Sequence, residues 1–196
     1  MNYRKTNVFP IPIYEIDCMD LVDDTIDVLQ KTVFPKETPY VSENFYSLNK
    51  FPFLVKKFEE KVNDALSEHQ YVVPFRMTTS WFTCTIPGNV IRPHKHINCL
   101  WSASFYFFDN CSPINFIKDK SQIYAPFNCS DPTIMTSGTV KFPSQKGVLI
   151  LFPSHIEHNV DQNNTNVNRY SLAMNFMPDG MCSWYDSEYN YKHDPL

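Results

Sequence analysis

The spacing of apolar residues changes once along this chain, near Tyr71. Before that point the period is helical. Leu21, Val22, Ile26 and Leu29 share one face of a helix that ends near Lys31, with Asp17 or Asp20 placed to cap it and acids in its first turn, where the helix dipole favours them. Val55, Phe58, Val62 and Leu66 mark a second helix from about Phe53 to His69. Its charged run KKFEEK (56–61) reads as a solvated face, Glu59 and Glu60 as non-catalytic, and His69 as a cation that complements the helix end. After Tyr71 the period becomes two. MTTSWFTCTI (77–86), LWSASFYFF (100–108), INFIK (114–118), GVLILF (147–152) and RYSLAMNFM (169–177) predict strands separated by Pro, Asn and Gly turns. Helices followed by a run of strands predict an α+β chain, mainly β, whose β part is a sandwich or an open barrel.

No repeat, low-complexity tract or linker interrupts this pattern, so residues 1–196 read as a single domain. It has a helical part to about 70, a β core over about 71–178 and a tail at 179–196. The tail is aromatic but polar: a lid, an oligomer contact in a homodimer, or a loose end, and the sequence leaves the three open.

Composition narrows the function. A hydrophobic content of 43% with 19% charged residues excludes a disordered chain. A net charge of −4 provides no basic surface for nucleic acid. No apolar run reaches the roughly 18–20 residues of a membrane helix, and the N-terminal residues lack a signal-peptide pattern. Six scattered cysteines without a C-x-x-C pair then read as free thiols in a reducing cytoplasm, bacterial or that of a phage-infected host. The N-x-[ST] matches at Asn110, Asn128 and Asn163 carry no weight in that setting. Four glycines, at 88, 138, 147 and 180, cannot build a dinucleotide fingerprint or a P-loop, and no G-x-S-x-G elbow occurs.

Candidate chemistry lies in the histidines. Four of the six fall into two clusters, His94 and His96 in RPHKH, then His155 and His158 in LFPSHIEHNV. Alternation puts His94 and His96 on one face of an extended segment, and the second cluster sits where an apolar strand meets a turn. Two imidazole clusters in such places point to a shared metal ion. Arg169 follows eleven residues after His158 and opens a strand on which Arg169, Ser171, Ala173 and Asn175 share one face and Tyr170, Leu172, Met174 and Phe176 the other. That polar face either meets solvent or lines the mouth of a barrel, where a guanidinium fork can hold a carboxylate through two hydrogen bonds.

Taken together, SWFTCTIPGNVIRPHKHINCLWSASFYF and GVLILFPSHIEHNVDQNNTNVNRYSLAMNF resemble the two halves of the 2-oxoglutarate and Fe(II)-dependent dioxygenases, in particular a branch of small oxygenases from bacteria and phages. The opening NVFPIPIY also resembles that branch, so the similarity spans roughly 7–178. Two departures are SAS at 102–104, where the branch has a small SGV-like triplet, and Thr83, where it has Asn. The resemblance implies a double-stranded β-helix, the jelly-roll, cupin-like barrel, with the N-terminal helices packed on it. It implies Fe(II) on His94, His96 and His158, with His155 outside the ligand set. It implies 2-oxoglutarate held by Arg169 with Ser171, and Asn175 in the same site. The implied reaction uses molecular oxygen, releases succinate and CO2, and hydroxylates an unidentified protein side chain or small molecule. Most relatives in the wider superfamily carry a carboxylate at the position of His96, so Glu157 or Asp109 could supply one with His96 behind it; the three-histidine site is favoured. Two rivals remain: a cupin-type metalloenzyme that does not use 2-oxoglutarate, and a non-catalytic jelly roll with a structural or binding role.

Overall fold

The computed structural model of the protein describes residue 4 and residues 10–37, 40–109, 112–119, 130–131, 133–134 and 136–192. The start of the N-terminal match (7–9), Asn110, Asn128, Cys111, Cys129 and the end of the tail (193–196) lie outside the described residues. In chain order the elements are β1 (Tyr14–Asp17), α1 (Val22–Gln30), α2 (Pro52–Leu66), β2 (Phe75–Thr85), β3 (Ile91–His94), β4 (Trp101–Tyr106), β5 (Ile114–Ile117), β6 (Thr139–Phe142), β7 (Val148–Pro153), β8 (His158–Val160), β9 (Arg169–Pro178), β10 (Gly180–Cys182) and β11 (Tyr189–Tyr191). No helix among the described residues is long and apolar enough to cross a membrane.

Nine strands form two facing sheets, one of five and one of four, and the chain passes back and forth between them. One sheet has the order β1-β7-β4-β9-β2, the other β3-β8-β5-β6, and every pairing is antiparallel. This is a double-stranded β-helix. The five-stranded sheet has two differently used faces. Met77, Phe82, Phe105, Leu149, Leu172, Met174 and Phe176 point out of the barrel and form the main core with Val22, Val28, Leu54, Phe58 and Val62 of the helices. The opposite face looks into the barrel, where Tyr106, Ile150 and Phe152 meet Ile114 and Phe116 of the other sheet. Beside this second core the inner face turns polar along β9 and β2, and that polar ground holds the site.

A bulge in β2 decides which residues face inward. Met77 pairs with Phe176 and Thr79 with Asn175, so Thr78 is an extra residue on β2. Beyond the bulge Ser80, Phe82 and Cys84 are buried on the helix side, while Thr83 reaches Ser171 on the inner face. Re-aiming side chains is a common use of such bulges.

Two expectations about the helices change. Neither Asp17 nor Asp20 caps α1, which begins after Leu21 with no side-chain cap; Asp17 Oδ1 instead accepts the Met19 amide at 2.9 Å in the turn before a 3₁₀ segment, Met19–Leu21. The run KKFEEK is not solvated throughout. Glu59 is 7% exposed, accepts the Met77 amide at 2.8 Å and pairs with Arg76 at 2.9 Å. Glu60 does face solvent, paired with Lys56 and Lys57. Asn163, in one of the three N-x-[ST] matches, is 1% exposed and donates to the carbonyls of Thr85 and Val167. Cys18, Cys84, Cys99 and Cys182 are free thiols.

Candidate metal centre

His94 closes β3 and His158 opens β8, and the two are cross-strand partners, which places their side chains side by side. His96 lies past the end of β3. Its ring comes to the same side as His94, as the sequence predicts, and its amide donates to Ser154 O at 3.0 Å. The ring centroids are 4.3 Å apart for His94 and His158, 5.1 Å for His96 and His158, and 5.2 Å for His94 and His96. One nitrogen from each of the three lies within 4.8 Å of the others, and among the described residues this cluster contains no carboxylate. Glu157 and Asp109 are outside it, and His155 is exposed on the turn between β7 and β8.

Hydrogen bonds fix two of the tautomers. His94 Nδ1 is 2.9 Å from Arg92 O, and His158 Nδ1 is 3.0 Å from Ile156 O. A carbonyl can only accept, so both Nδ1 atoms carry a proton, and in the neutral ring the lone pair is on Nε2. Such an outer contact sets ring orientation in metal-binding histidines. The apolar surroundings complete the preparation. His158 packs against Phe152 at 4.7 Å and Phe116 at 6.2 Å, and His96 against Trp81 at 5.7 Å. Burial pushes His158 down to about 3, with the neighbouring imidazoles lowering it further and the Ile156 carbonyl opposing. Burial, then the charge of His94, lowers His96 to about 4. Both rings are therefore neutral donors at neutral pH. Three converging imidazoles, two with fixed tautomers, fit a divalent first-row metal such as Fe(II), and three protein ligands leave positions open for other molecules.

Arg169 begins β9, and its side chain crosses the barrel interior. Its Nη1 donates to Ser112 Oγ, and its Nη2 lies 3.5 Å from Asp161 O. Two residues on, Ser171 Oγ is 2.6 Å from Thr83 Oγ1 across the β2–β9 pair. Arg169, Ser171, Ser112, Tyr106 and Thr85 line a narrow cleft inside the barrel. The polar face of β9 thus looks inward, and Leu172, Met174 and Phe176, all fully buried, belong to the core under the helices. Asn175, on the same polar face, accepts from Ser102 Oγ at 2.8 Å and donates to Thr79 Oγ1 at 3.0 Å. The sequence reading missed Thr83, Ser112, Ser102, Ser154 and Trp81 as part of this site. Trp81, Thr83, Ser102 and Ser154 stand within the two motif stretches, and cross-strand register is the signal that assigns Thr83 and Ser102. Ser112 stands between elements with no pattern to mark it.

The jelly roll thus carries three converging imidazoles and an arginine directed inward. Residues 79–175 match the family described as "Putative 2OG-Fe(II) oxygenase". The chain belongs to these 2OG-Fe(II) oxygenases. No curated protein matches it. Solved structures that resemble it include the non-heme alpha ketoglutarate dependent carbocyclase SnoK from nogalamycin biosynthesis, with a TM-score of 0.59 and 13% identity over 87% of this chain and 81% of that one. HygX from Streptomyces hygroscopicus, with nickel, 2-oxoglutarate and hygromycin B bound, has a TM-score of 0.59 and 11% identity over 89% of this chain and 86% of that one. A Pseudomonas putida prolyl-4-hydroxylase has a TM-score of 0.53 and 14% identity over 87% and 94%. At these identities the likeness establishes the fold alone.

Proposed function

We propose that the protein is an Fe(II)- and 2-oxoglutarate-dependent dioxygenase that hydroxylates a protein side chain or a small molecule. The observation that carries this reading is the His94–His96–His158 cluster, whose nitrogens converge with two tautomers fixed and no carboxylate among them. Iron(II) held there would supply the redox centre at which 2-oxoglutarate is converted to succinate and CO2 and molecular oxygen is activated. The chain's own residues prepare that chemistry. The three imidazoles converge with Nε2 of His94 and His158 turned away from their backbone partners, and Phe152 and Phe116 pack against His158. Arg169, fixed at the head of β9, would exchange its contact with Ser112 for the distal carboxylate of 2-oxoglutarate, with the Ser171–Thr83 pair beside it. A cupin-type enzyme has no use for a guanidinium directed into the barrel, which favours the 2-oxoglutarate reading over that rival. The free thiols favour a reducing compartment such as the cytoplasm.

Anaerobic addition of Fe(II) and 2-oxoglutarate tests the assignment. A weak visible charge-transfer band is expected with the unaltered protein and with His155→Ala, and none with His94→Ala or His158→Ala. Full metal occupancy in either of the last two variants would sink the three-histidine site. Succinate release over a panel of peptides and small molecules then identifies the substrate.

A further inference from the structure

Both ends of the Asn175 amide are engaged by the protein itself. Oδ1 accepts from Ser102 Oγ at 2.8 Å, and Nδ2 donates to Thr79 Oγ1 at 3.0 Å. Ser102 gives its hydrogen to Asn175, so in its 2.8 Å contact with Ser154 Oγ it is the acceptor and Ser154 the donor. The donors run one way, from Ser154 through Ser102 and Asn175 to Thr79. This line starts just past the end of β7 and crosses β4 and β9 to β2, on the face that looks into the barrel. Ser102 and Ser154 are each 1% exposed, so bulk solvent does not compete for either hydroxyl, and Ser102 has one further, longer contact, to Cys99 Sγ at 3.8 Å.

The backbone of Ser154 closes the loop that carries His96. Its carbonyl accepts the His96 amide at 3.0 Å, and its own amide donates to Leu100 O at 2.9 Å, so one residue holds both ends of the segment 96–100. His94 and His158 are fixed by strand pairing; His96 stands outside any strand and depends on this contact. We propose that Ser154, Ser102 and Asn175 are positioning residues for the metal centre, a hydrogen-bonded line across the sheet that sets where the His96 imidazole stands. The proposal rests on the reading of His96 as a ligand. It takes Asn175 away from 2-oxoglutarate and gives it to the ligand loop.

Cobalt(II) binding to the purified full chain tests it, with the dissociation constant and the visible d–d spectrum as readouts. Ser102→Ala and Asn175→Leu each break the line and are expected to weaken cobalt binding by about 10- to 100-fold, the usual cost of losing an orienting partner, with an altered d–d band. The double variant should bind no more weakly than the worse single one, since both cut the same line. Ser102→Thr, which keeps the hydroxyl, should recover most of the affinity. Ser80→Ala is the control: Ser80 is also 1% exposed and accepts the Leu48 amide at 3.0 Å, but on the helix side of the sheet. It should lose thermal stability and leave the cobalt spectrum unchanged. Wild-type affinity and spectrum in both Ser102→Ala and Asn175→Leu overturn the proposal, as does an equal loss in Ser80→Ala. If Ser102→Ala does not fold, Asn175→Leu and Ser154→Ala carry the same comparison. Cobalt binding that survives His94→Ala unchanged defeats the metal reading itself, a separate outcome from failure of the line.

Discussion

His158 and His96 show how removing water sets the chemistry of single residues. Their folded values of about 3 and about 4 lie below the roughly 6.5 of an unfolded chain. Below pH ~6.5 the unfolded chain therefore binds more protons than the folded one, and the stability of the metal-free protein falls as the pH drops from about 6.5 toward 4. Above ~6.5 that contribution is fully present. Urea midpoints of the metal-free protein at pH 7.5 and pH 5 measure this directly, and equal midpoints would mean that the rings are hydrated. Arg169 is the other residue whose loss is readily measured. A charge-assisted, two-pronged contact to a carboxylate contributes on the order of 2–3 kcal/mol. Arg169→Leu should therefore weaken 2-oxoglutarate binding by roughly 30- to 150-fold and leave metal affinity intact. Calorimetric titration that finds an unchanged 2-oxoglutarate affinity would return the site to the cupin reading.

Helix α2 is joined to β2 by two polar side chains in an otherwise apolar contact. Asn63 donates to Phe75 O and accepts the Phe75 amide, and Glu59 accepts the Met77 amide and the Arg76 guanidinium. Arg76 also reaches Asp179 at 3.1 Å, just after β9. Glu59→Ala leaves the buried Met77 amide without its acceptor, a loss of about 1–3 kcal/mol. The half-exposed ion pair with Arg76 adds little to that. A lower urea midpoint with unchanged metal affinity is the expected result; altered metal affinity would mean that α2 also shapes the site. The sequence could have placed Glu59, since it follows Val55 by four residues and precedes Val62 by three, on the core face of the helix. A run of charges obscured that spacing. The long strands were legible because alternation persists over many residues, and β1, β6 and β8 were not, because three or four residues display a period of two only weakly; β5, equally short, stood out through Ile114, Phe116 and Ile117. β3 is short, contains Pro93 and lies at the edge of its sheet, where a proline is tolerated.

For the whole molecule, the change of period along the chain announced helices on a β structure, and the order of the strands came only from the resemblance. Alternation says which residues share a face; it does not say which strand lies beside which, and in this barrel sequence neighbours β2 and β3 belong to different sheets. The convergence of His96 with His94 was legible, but the contact that holds it was not, because Ser154 is 58 residues further along the chain and is brought there only by the barrel. The extra residue at Thr78 has a consequence of another kind. Before it the outward phase of β2 belongs to Phe75 and Met77; after it, to Ser80, Phe82 and Cys84. Length, more than identity, is then what the chain must preserve between Met77 and Thr79. Thr78→Ala or Thr78→Val should be tolerated, with a change in urea midpoint worth at most about 1 kcal/mol from the lost contact to Asn175 O. Deleting Thr78 keeps almost the whole composition but exchanges the two faces of every residue downstream, sending Phe82 into the cleft and Trp81 and Thr83 under the helices. That variant should lose its cooperative urea transition or, if it folds, bind neither metal nor 2-oxoglutarate. The β2 strand thus behaves like a reading frame, forgiving of substitutions at Thr78 and closed to a shift of one.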